Sequence, residues 1–572
     1  MRLKIISSNV KRFFEYSKKY KKIHLNLYLL SIPITLFFIA NPYILRYMID
    51  EVIFQNKFSL LLPSMLAYIT VVVGQVVLAF FENYYAGASE ADVIKNEQLT
   101  LYEKVQKISS AYSSDNQIGD FLARITSDIA EIANFLVLTK PVIILNIIDV
   151  FIILIVLSTF SWQLTLLVIA TIPLYYWILN HFNKRLLDTS KKERKEYSKV
   201  MESLREKIEG INIIKLFAKE PLFHKKLEKD TEDWRKEKRK YVWNVTGLEQ
   251  GMIFIITITT PLVIGLGGYM VMSDTITIGS LMAFYSFSSW LYNPLRMINE
   301  QLAQLQRGDS LAERFFEILD MPEEESDGIY LFPEDYDIEY KNISFKYRDE
   351  IVLKNINLFF GKNEKIALVG TSGSGKSTMV SLLVRLYDPT NGKILLGNKN
   401  IIDYKLQEIR EKIKLVRGNE PLFNMTAKEN IMLDDEFTEE EFMKAVKKAK
   451  VDKFIGLLDE GYDTVVGERG GKLSDGQRQR VAIARALIRE PKVLILDEAT
   501  SGVDSQTEEE IFDELKEYEM TLIIISHRLS TIRKADKVIL LKDGEIMEEG
   551  VHEELLKNSP LYKEIIESQL VV

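Results

Sequence analysis

No cysteine occurs in the 572 residues of this chain, and its absence removes several kinds of chemistry at once. Disulfides, thiolate metal sites and cysteine nucleophiles are all excluded. Such an absence is typical of a protein that faces the cytoplasm, of a thermophilic protein or of an engineered chain. The chain also lacks a basic excess, since its formal charge is −8. Nucleic-acid-binding proteins usually have a basic surface, so we expect no nucleic-acid partner.

The sequence also shows no pattern typical of a cleavable signal peptide. Residues 1–22 are basic and amphipathic, and no small-residue cleavage site follows the first apolar stretch. What the first half has instead is long apolar runs, each close to or above the roughly 20 residues that cross a hydrocarbon core. The six runs are Ile23–Met48, Leu60–Ala86, Phe135–Thr159, Leu164–Phe182, Trp243–Met272 and Ile278–Leu302. They predict six membrane-spanning helices, because the backbone in lipid must satisfy its own hydrogen bonds. A soluble helical domain is the alternative, which six such runs disfavour.

The charge of the loops predicts the orientation in the membrane. Four lysines lie within residues 18–22, and residues 184–240 are dense in Lys and Arg, whereas the turns at 161–163 and 273–277 contain neither. The positive-inside rule therefore places both termini and the two long loops in the cytoplasm. Helical patterning continues through those loops, which predicts that the spans project beyond the bilayer.

Several charged side chains fall inside the apolar runs, where charge is costly and usually faces a cavity or a partner. They are Arg46, Lys140, Asp149, Glu249 and Glu300. Asp149 is the most central by count. Arg46 and Lys140 fit snorkelling toward the interface equally well.

The composition changes at an acidic, turn-rich stretch at 322–328, which marks a linker. Beyond it, Lys365–Val369, Lys492–Leu496 and Thr521–Ile525 predict buried parallel strands of an α/β domain. We predict a membrane domain at 1–320, a linker at 321–336 and a nucleotide-binding domain at 337–572.

A phosphate-binding loop follows the first of these strands with the spacing G-x-x-x-x-G-K-S. Its glycines let backbone N–H groups point inward, and the helix that follows adds its positive end. Lys376 is predicted to reach the β- and γ-phosphates of ATP, and the Ser377 hydroxyl to bind Mg²⁺. The predicted nucleotide-binding residues here are Gly370, Thr371, Ser372, Gly373, Ser374, Gly375, Lys376, Ser377 and Thr378.

Two carboxylates end the second predicted strand. Asp497 is placed to hold Mg²⁺ through water, and Glu498 to act as general base for the attacking water. An acidic pair could instead cap the next helix. The phosphate loop, together with Asp504 shortly after, favours the catalytic interpretation.

Between these motifs stands Leu473-Ser474-Asp475-Gly476-Gln477, and Ser526-His527 follows them. In this order the motifs resemble the ATPase domain of ATP-binding-cassette (ABC) proteins. The first half, with loops at 119–128 and 210–220, resembles the membrane domain of the MsbA-like lipid and multidrug exporters of that family. The resemblance implies an α-helical six-span membrane domain followed by an α/β P-loop ATPase domain of the ABC type.

The resemblance also assigns roles to further residues. His527 would be the switch residue beside the γ-phosphate, and Tyr347 would stack on adenine. The signature residues Ser474, Gly476 and Gln477, with Asp504 of the D-loop, would serve ATP held by a facing subunit. Each chain has one phosphate loop and one signature, so the resemblance implies a dimer. We favour a second copy of this chain; a homologous half-transporter with unequal ATP sites is the alternative.

Two positions depart from the family pattern, and both bear on the strength of hydrolysis and of coupling. Asp475 replaces the third residue of the signature, which is usually Gly. Counting back from Phe423, the glutamine of the Q-loop falls at Gly418, and Asn419 is an alternative amide after a one-residue shift. A glycine offers no side-chain oxygen to the metal or water, so restoring the amide as Gly418→Gln should raise substrate-stimulated ATPase activity more than it changes nucleotide affinity.

The resulting prediction is ATP-driven export or flipping of a hydrophobic or amphipathic substrate by an alternating-access dimer, with ATP and Mg²⁺ as cofactors. We expect a multi-pass protein of the bacterial cell membrane that contacts membrane lipids. One subunit of a heterodimeric peptide or drug exporter is the alternative, and an ATP-gated channel fits less well.

Overall fold

The computed structural model describes residues 8–108, 118–324, 328–347 and 350–570. The contacts within the chain define two compact units. The first contains residues 1–103 and 121–320, and the second contains residues 104–120 and 321–572.

Helices make up the described part of the first half of the chain. They are α1 (Ser8–Tyr16), α2 (Lys21–Tyr47), α3 (Phe58–Lys107), α4 (Ile118–Ala123), α5 (Ile129–Asn134), α6 (Lys140–Phe160), α7 (Trp162–Glu209), α8 (Ile211–Leu216), α9 (Glu220–Met272), α10 (Ile278–Ser288) and α11 (Tyr292–Leu319). Wider helical turns at Met48–Ile53, Arg124–Asp128 and Phe135–Thr139 continue α2, α4 and α5 without a break. The short helix α8 lies within the family-like loop at 210–220.

Within the described residues, five continuous helices are long and apolar enough to cross a membrane. They are Asn9–Ile53, Phe58–Lys107, Gly119–Phe160, Trp162–Glu209 and Glu220–Met272. Each contains one of the first five predicted runs. They have 42 to 53 residues, about twice what the hydrocarbon core requires. Their length agrees with the prediction that the spans continue past the bilayer.

The sixth predicted run is interrupted. It folds as α10, a 3₁₀ turn at Ser289–Leu291 and then α11. Pro294 explains the interruption, because it has no N–H to donate to the carbonyl of Trp290 and its ring crowds the preceding turn.

Two of the charged side chains predicted inside the runs have partners nearby. Arg46 Nε lies 3.5 Å from Asp50 Oδ2, and Arg296 Nη1 lies 2.9 Å from Glu300 Oε1. Asp50 also accepts a hydrogen bond from the Gly279 N–H at 2.8 Å, so it joins the start of α10 to the end of α2. These pairs are local to the helices that carry them.

Two sheets with helices around them form the second unit. The strands are β1 (Ile338–Tyr347), β2 (Glu350–Phe360), β3 (Lys365–Val369), β4 (Asn391–Leu396), β5 (Lys399–Asn400), β6 (Ile413–Arg417), β7 (Val493–Asp497), β8 (Thr521–Ile525), β9 (Lys537–Lys542) and β10 (Glu545–Gly550). The helices are α12 (Lys376–Leu383), α13 (Leu406–Lys412), α14 (Ala427–Met432), α15 (Glu439–Lys448), α16 (Asp452–Ile455), α17 (Asp475–Leu487), α18 (Ser505–Lys516), α19 (Leu529–Arg533), α20 (His552–Asn558) and α21 (Pro560–Leu570).

The larger sheet positions the site. Its order is β10-β9-β3-β8-β7-β6, and every pairing in it is parallel except that of β10 with β9. All residues of β3, β7 and β8 are buried, which confirms the predicted parallel strands. Because the strands run the same way, the residues that follow Val369, Arg417, Asp497 and Ile525 meet at one edge of the sheet.

Candidate active site

The loop from Gly370 to Gly375 connects β3 to α12 and is shaped by glycine. A β-carbon on Gly370 would lie 2.0 Å from the carbonyl oxygen of Leu541, so no side chain fits there. Gly375 has a φ of +103° and forms the N-terminal cap of α12. Both features let the backbone fold closely around the start of the helix, which is where a phosphate would bind.

Lys376 directs its ammonium group into this loop. Its Nζ donates to the carbonyl oxygens of Gly370 and Thr371, at 2.9 and 2.8 Å. Burial lowers the pKa of Lys376, while the nearby carboxylates of Glu498 and Asp497 oppose that shift. The ammonium group therefore lies inside the loop, where a phosphate can replace these carbonyl oxygens as its partner.

The two predicted metal ligands are hydrogen-bonded to each other. Ser377 Oγ donates to Asp497 Oδ1 at 3.1 Å. Burial raises the pKa of Asp497, whereas the hydrogen bond from Ser377 and the charges of Arg417 and Lys376 lower it. A hydroxyl beside a carboxylate is a hard-oxygen pair that fits Mg²⁺. No cluster of three or more His, Asp or Glu side chains suited to a metal occurs in the described residues.

Glu498 and His527 lie side by side at the same edge of the sheet. His527 Nε2 is 3.4 Å from Glu498 Oε1, and both side chains are about half exposed. The backbone of Glu498 has a φ of +52°, an unusual value for a residue other than glycine. Its N–H donates to the Ile525 carbonyl at 3.0 Å, which holds this strained residue against β8. The arrangement places the Glu498 carboxylate beside His527 and within electrostatic range of Lys376.

Tyr347 lies at the end of β1, in contact with α12. Its hydroxyl is 3.3 Å from Thr378 Oγ1. Its ring packs edge-to-face against Phe345 and Tyr387, with centroid distances of 4.8 and 5.2 Å. Tyr387 was not predicted from the sequence, where its one signal was an aromatic residue in the turn after α12. Two aromatic neighbours hold the Tyr347 ring in one orientation, as a stacking residue requires.

The signature and D-loop residues form a second cluster at two helix N-termini. As predicted, the signature opens a helix: Ser474 Oγ accepts from the Gln477 N–H at 3.3 Å, and Gln477 Oε1 accepts from the Ser474 N–H at 2.8 Å. Asp504 caps α18 by accepting from the Thr507 N–H at 2.9 Å, which lowers the pKa of Asp504. A β-carbon on Gly476 would lie 2.4 Å from the Gly502 carbonyl oxygen, so the two N-termini pack closely.

Gln479, which was not predicted from the sequence, joins the two clusters. Its side chain is almost fully buried, with 4% exposed. It donates to the Gly418 carbonyl and to Ser501 Oγ, both at 3.1 Å, and accepts from the Gly502 N–H at 2.9 Å. Its position two residues after Gln477 on α17 was its only signal in the sequence. The signature helix is therefore connected to the strand ends that carry Asp497 and Glu498.

The two positions that depart from the family pattern, Asp475 and Gly418, both contact neighbouring residues in the structure. Asp475 is paired with Arg478, whose guanidinium also donates to the Leu473 carbonyl at 2.8 Å. At the Q-loop, the Gly418 N–H donates to the Asp497 carbonyl at 2.9 Å. The side chain of Asn419 is exposed and forms no hydrogen bond with the residues that the structure describes. That Asn419 takes the role of the missing Q-loop glutamine stays a prediction.

Comparisons with known proteins agree with this geometry. The model of the ABC transporter transmembrane region matches residues 25–295, and the ABC transporter model matches residues 353–501. YgaD of Bacillus subtilis (strain 168), a protein named for multidrug export, is 31% identical, and the match covers 98% of this chain and 99% of YgaD. SAV1866 of Staphylococcus aureus (strain Mu50), named likewise, is 32% identical over 98% of this chain and all of that protein.

Among solved structures, a bacterial Atm1-family ABC exporter with ATP bound superposes with a TM-score of 0.80. The sequences are 25% identical, and the match covers 96% of this chain and 98% of that one. The second half of this chain is an ABC ATPase domain, and the first half makes it an integral membrane protein. The chain belongs to the ABC exporters, as a half-transporter with one transmembrane region and one ATP-binding domain.

Proposed function

We propose that this chain binds MgATP at the edge of its parallel sheet and uses hydrolysis to export a hydrophobic or amphipathic molecule from the cell. The observation that carries the proposal is the meeting of a phosphate loop, a hydroxyl–carboxylate pair and a Glu–His pair at that edge. Lys376, Ser377, Asp497, Glu498 and His527 supply these groups.

Each group has a separate task. The backbone of residues 370–375 and the Lys376 ammonium bind the phosphates, while Ser377 and Asp497 hold Mg²⁺, which offsets the charge that develops on the phosphates. Glu498 accepts the proton of the attacking water. His527 contacts the γ-phosphate beside it, and Tyr347 stacks on adenine.

The proposed transporter is a dimer, because one chain carries only half of each closed site. Ser474, Gly476, Gln477 and Asp504 of one chain complete the ATP site of the other. Two copies of this chain are favoured, since Glu498 and His527 are both present. A heterodimer with unequal sites is the second candidate. The observation that favours it is Asp475, a carboxylate in the signature, where the phosphates of the facing chain's ATP would bind.

The proposed substrate is lipid-linked, amphipathic or drug-like. The apolar first half supports this class, and the relatives YgaD and SAV1866 are named for multidrug export. We place the membrane domain at residues 1–320 and the nucleotide-binding domain at 337–572. Both termini and the ATPase domain face the cytoplasm of a bacterial cell, because the basic residues of the first half concentrate on that side.

The test is a transport assay in inside-out membrane vesicles, where ATP added outside reaches the ATPase domain. A fluorescent amphipathic compound should accumulate in the vesicles with ATP and wild-type protein, and should not accumulate with Glu498→Gln protein. Mass spectrometry of molecules that copurify with each form would identify the natural substrate. Equal accumulation with both forms would contradict the proposal.

A further inference from the structure

A cavity of about 540 Å³ lies between α7 and α9 in the first unit. Its walls include Arg185 and Asp188 from α7, with Arg239, Lys240, Trp243 and Asn244 from α9. None of these residues belongs to the ATP site.

The predicted ends of two spans place this cavity near the level of the lipid headgroups. The apolar run of α7 ends at Phe182, and that of α9 begins at Trp243. Arg185 follows Phe182 by one helical turn, or about 5 Å along the helix axis. The Trp243 side chain is 78% exposed, and tryptophan at the end of a span is typical of the membrane interface. On the side of the apolar runs α7 and α9 pack closely, because a β-carbon on Gly247 would lie 2.6 Å from the Phe182 ring.

The charges in the cavity favour an anion. Lys240 Nζ is already 2.6 Å from Glu237 Oε1. Neither Arg185 nor Arg239 forms an ion pair with any side chain that the structure describes, so both guanidinium groups can bind a ligand. Arginine recognises phosphate through two parallel hydrogen bonds, which makes a phosphate group the anion that this pair suits best.

The remaining polar groups narrow the choice of ligand. Asp188 would repel a phosphate that carries two negative charges, but it can accept hydrogen bonds from hydroxyl groups next to a singly charged phosphodiester. The Asn244 amide donates to Thr189 Oγ1 at 3.4 Å and to the Lys240 carbonyl at 3.1 Å, which fixes the wall between the two helices. A phosphodiester with a hydroxylated headgroup fits this combination.

We propose that this cavity binds the headgroup of an anionic phospholipid, with Arg185 and Arg239 on the phosphodiester, Asp188 on headgroup hydroxyls and Trp243 against the start of the acyl chains. Basic pockets between spanning helices are suited to such headgroups. The bound lipid joins α7 to α9, the two helices that lead to the loop at 210–220. The site is independent of the proposed export function; only the assignment to the cytoplasmic leaflet rests on the proposed orientation.

Native mass spectrometry of the full chain in detergent tests the proposal. Phosphatidylglycerol and phosphatidylcholine of equal chain length are titrated onto wild-type protein, onto Arg185→Gln/Arg239→Gln protein and onto Arg194→Gln/Arg235→Gln protein. The last variant is the matched control, because it removes two exposed arginines from the same helices outside the cavity. Each arginine near a membrane surface contributes roughly a fivefold factor to the binding of anionic lipid.

We expect wild-type protein to prefer phosphatidylglycerol, the cavity variant to bind it about 25-fold more weakly, and the control to match wild type. An Arg185→Lys/Arg239→Lys form should recover part of the preference, since it keeps the charge but loses the paired hydrogen bonds. Unchanged binding of phosphatidylglycerol by the cavity variant would overturn the proposal.

A second arm separates lipid from soluble phosphate compounds, which share the same chemistry. Millimolar glycerophosphoglycerol, the singly charged phosphodiester that remains when phosphatidylglycerol loses its acyl chains, should fail to displace phosphatidylglycerol, because it has no acyl chains to lie beside Trp243. Displacement would mean that the cavity is a site for soluble phosphate esters, and the lipid assignment would be wrong. Lipid binding to monomer but not to dimer would mean that a second chain covers the cavity, which also contradicts the proposal.

Discussion

Gly418 lies directly against the backbone of Glu498, the predicted general base. A β-carbon on Gly418 would stand 2.7 Å from the Glu498 carbonyl oxygen, closer than such atoms normally approach. The Gly418 N–H also donates to the carbonyl of Asp497 at 2.9 Å. Glu498 already has a left-handed backbone conformation, with a φ of +52°, so it has little freedom to move. The position where the family has glutamine is therefore packed so tightly against Glu498 in this chain that a side chain there would have to displace it.

The first prediction is that even Gly418→Ala will impair turnover. The added methyl group must displace Glu498, and a shift of about 1 Å in a catalytic group can cost on the order of 100-fold in rate. We expect kcat for ATP to fall 10- to 100-fold, with a smaller change in nucleotide affinity measured by a fluorescent ATP analogue. The kcat of Gly418→Gln should fall as well, because displacing Glu498 slows turnover more than the restored amide can speed it.

Asn419→Ala is the matched control for this prediction. The Asn419 side chain is exposed and forms no hydrogen bond with the described residues, so its loss should leave kcat near the wild-type value. Slow turnover in Asn419→Ala with normal turnover in Gly418→Ala would mean that Asn419 has taken over the role of the glutamine.

The second prediction concerns Glu498 itself. Glu498→Gln keeps the size of the side chain and the backbone contacts with Ile525, but the amide cannot accept a proton from water. Loss of a general base typically costs about 10²- to 10⁴-fold in rate. ATP binding should persist, because Lys376 and the phosphate loop are unchanged. Steady-state hydrolysis near the wild-type rate in purified Glu498→Gln protein would rule out this role for Glu498.

The third prediction tests whether two chains share each ATP site. Lys376→Ala damages phosphate binding in its own chain, whereas Ser474→Ala damages the site of the facing chain. Neither variant alone should hydrolyse ATP, and mixing them should restore activity through dimers that contain one intact site. Full activity in a monomer isolated in detergent would contradict a shared site.

Ser474 also caps α17, so its loss could act through stability. Removing such a cap typically costs about 1 kcal/mol. Thr438→Ala is a suitable control, because Thr438 forms the same capping box at the start of α15, with Glu441 as its partner. It should lower the melting temperature by a similar amount while leaving ATP hydrolysis intact.

The parts of the site that the sequence could predict are those encoded by local spacing. Gly370 to Ser377 form a continuous loop, and Asp497 and Glu498 end a strand whose apolar residues already indicate burial. Contacts between distant segments could not be predicted in this way. Gln479 contacts Gly418, 61 residues away in the sequence, and nothing near either residue indicates the other.

The sixth span illustrates the same limit in the membrane domain. Its composition predicted one helix over Ile278–Leu302. Whether Pro294 would kink or interrupt that helix depends on the neighbouring helices that satisfy the freed backbone groups. The structure has a 3₁₀ turn there, which apolar composition alone does not reveal.

The fourth prediction follows from the buried contacts of Gln479. Gln479→Glu preserves the shape of the side chain but replaces the amide donor with a carboxylate beside the Gly418 carbonyl. An unsatisfied buried polar group costs about 1–3 kcal/mol. We expect a lower melting temperature. We also expect a lower kcat, because loss of the Gln479 contacts would displace Glu498. Gln407→Glu, on the exposed surface of α13, loses a hydrogen bond to Glu411 at 2.9 Å, so it should lower the melting temperature slightly and leave kcat unchanged. Normal kcat in Gln479→Glu would show that this contact does not position the catalytic residues.

The fifth prediction concerns Asp475, whose side chain is 76% exposed at the start of the signature helix. In a shared site its carboxylate faces the phosphates of the partner's ATP, and Arg478 offsets only part of its charge. Removing that charge should lower KM for ATP about fivefold, the factor expected for one pair of like charges at about 4 Å in water. Asp475→Asn tests the charge alone, and Asp475→Gly also restores the residue usual in the family.

Salt and a second variant complete the test of Asp475. The decrease in KM caused by Asp475→Asn should become smaller as ionic strength rises, because salt screens exposed charges. Arg478→Gln should act in the opposite direction and raise KM, since it leaves the Asp475 carboxylate without its counter-charge. A KM that is the same in wild type, Asp475→Asn and Arg478→Gln would mean that this turn does not face a phosphate, which would contradict the shared site.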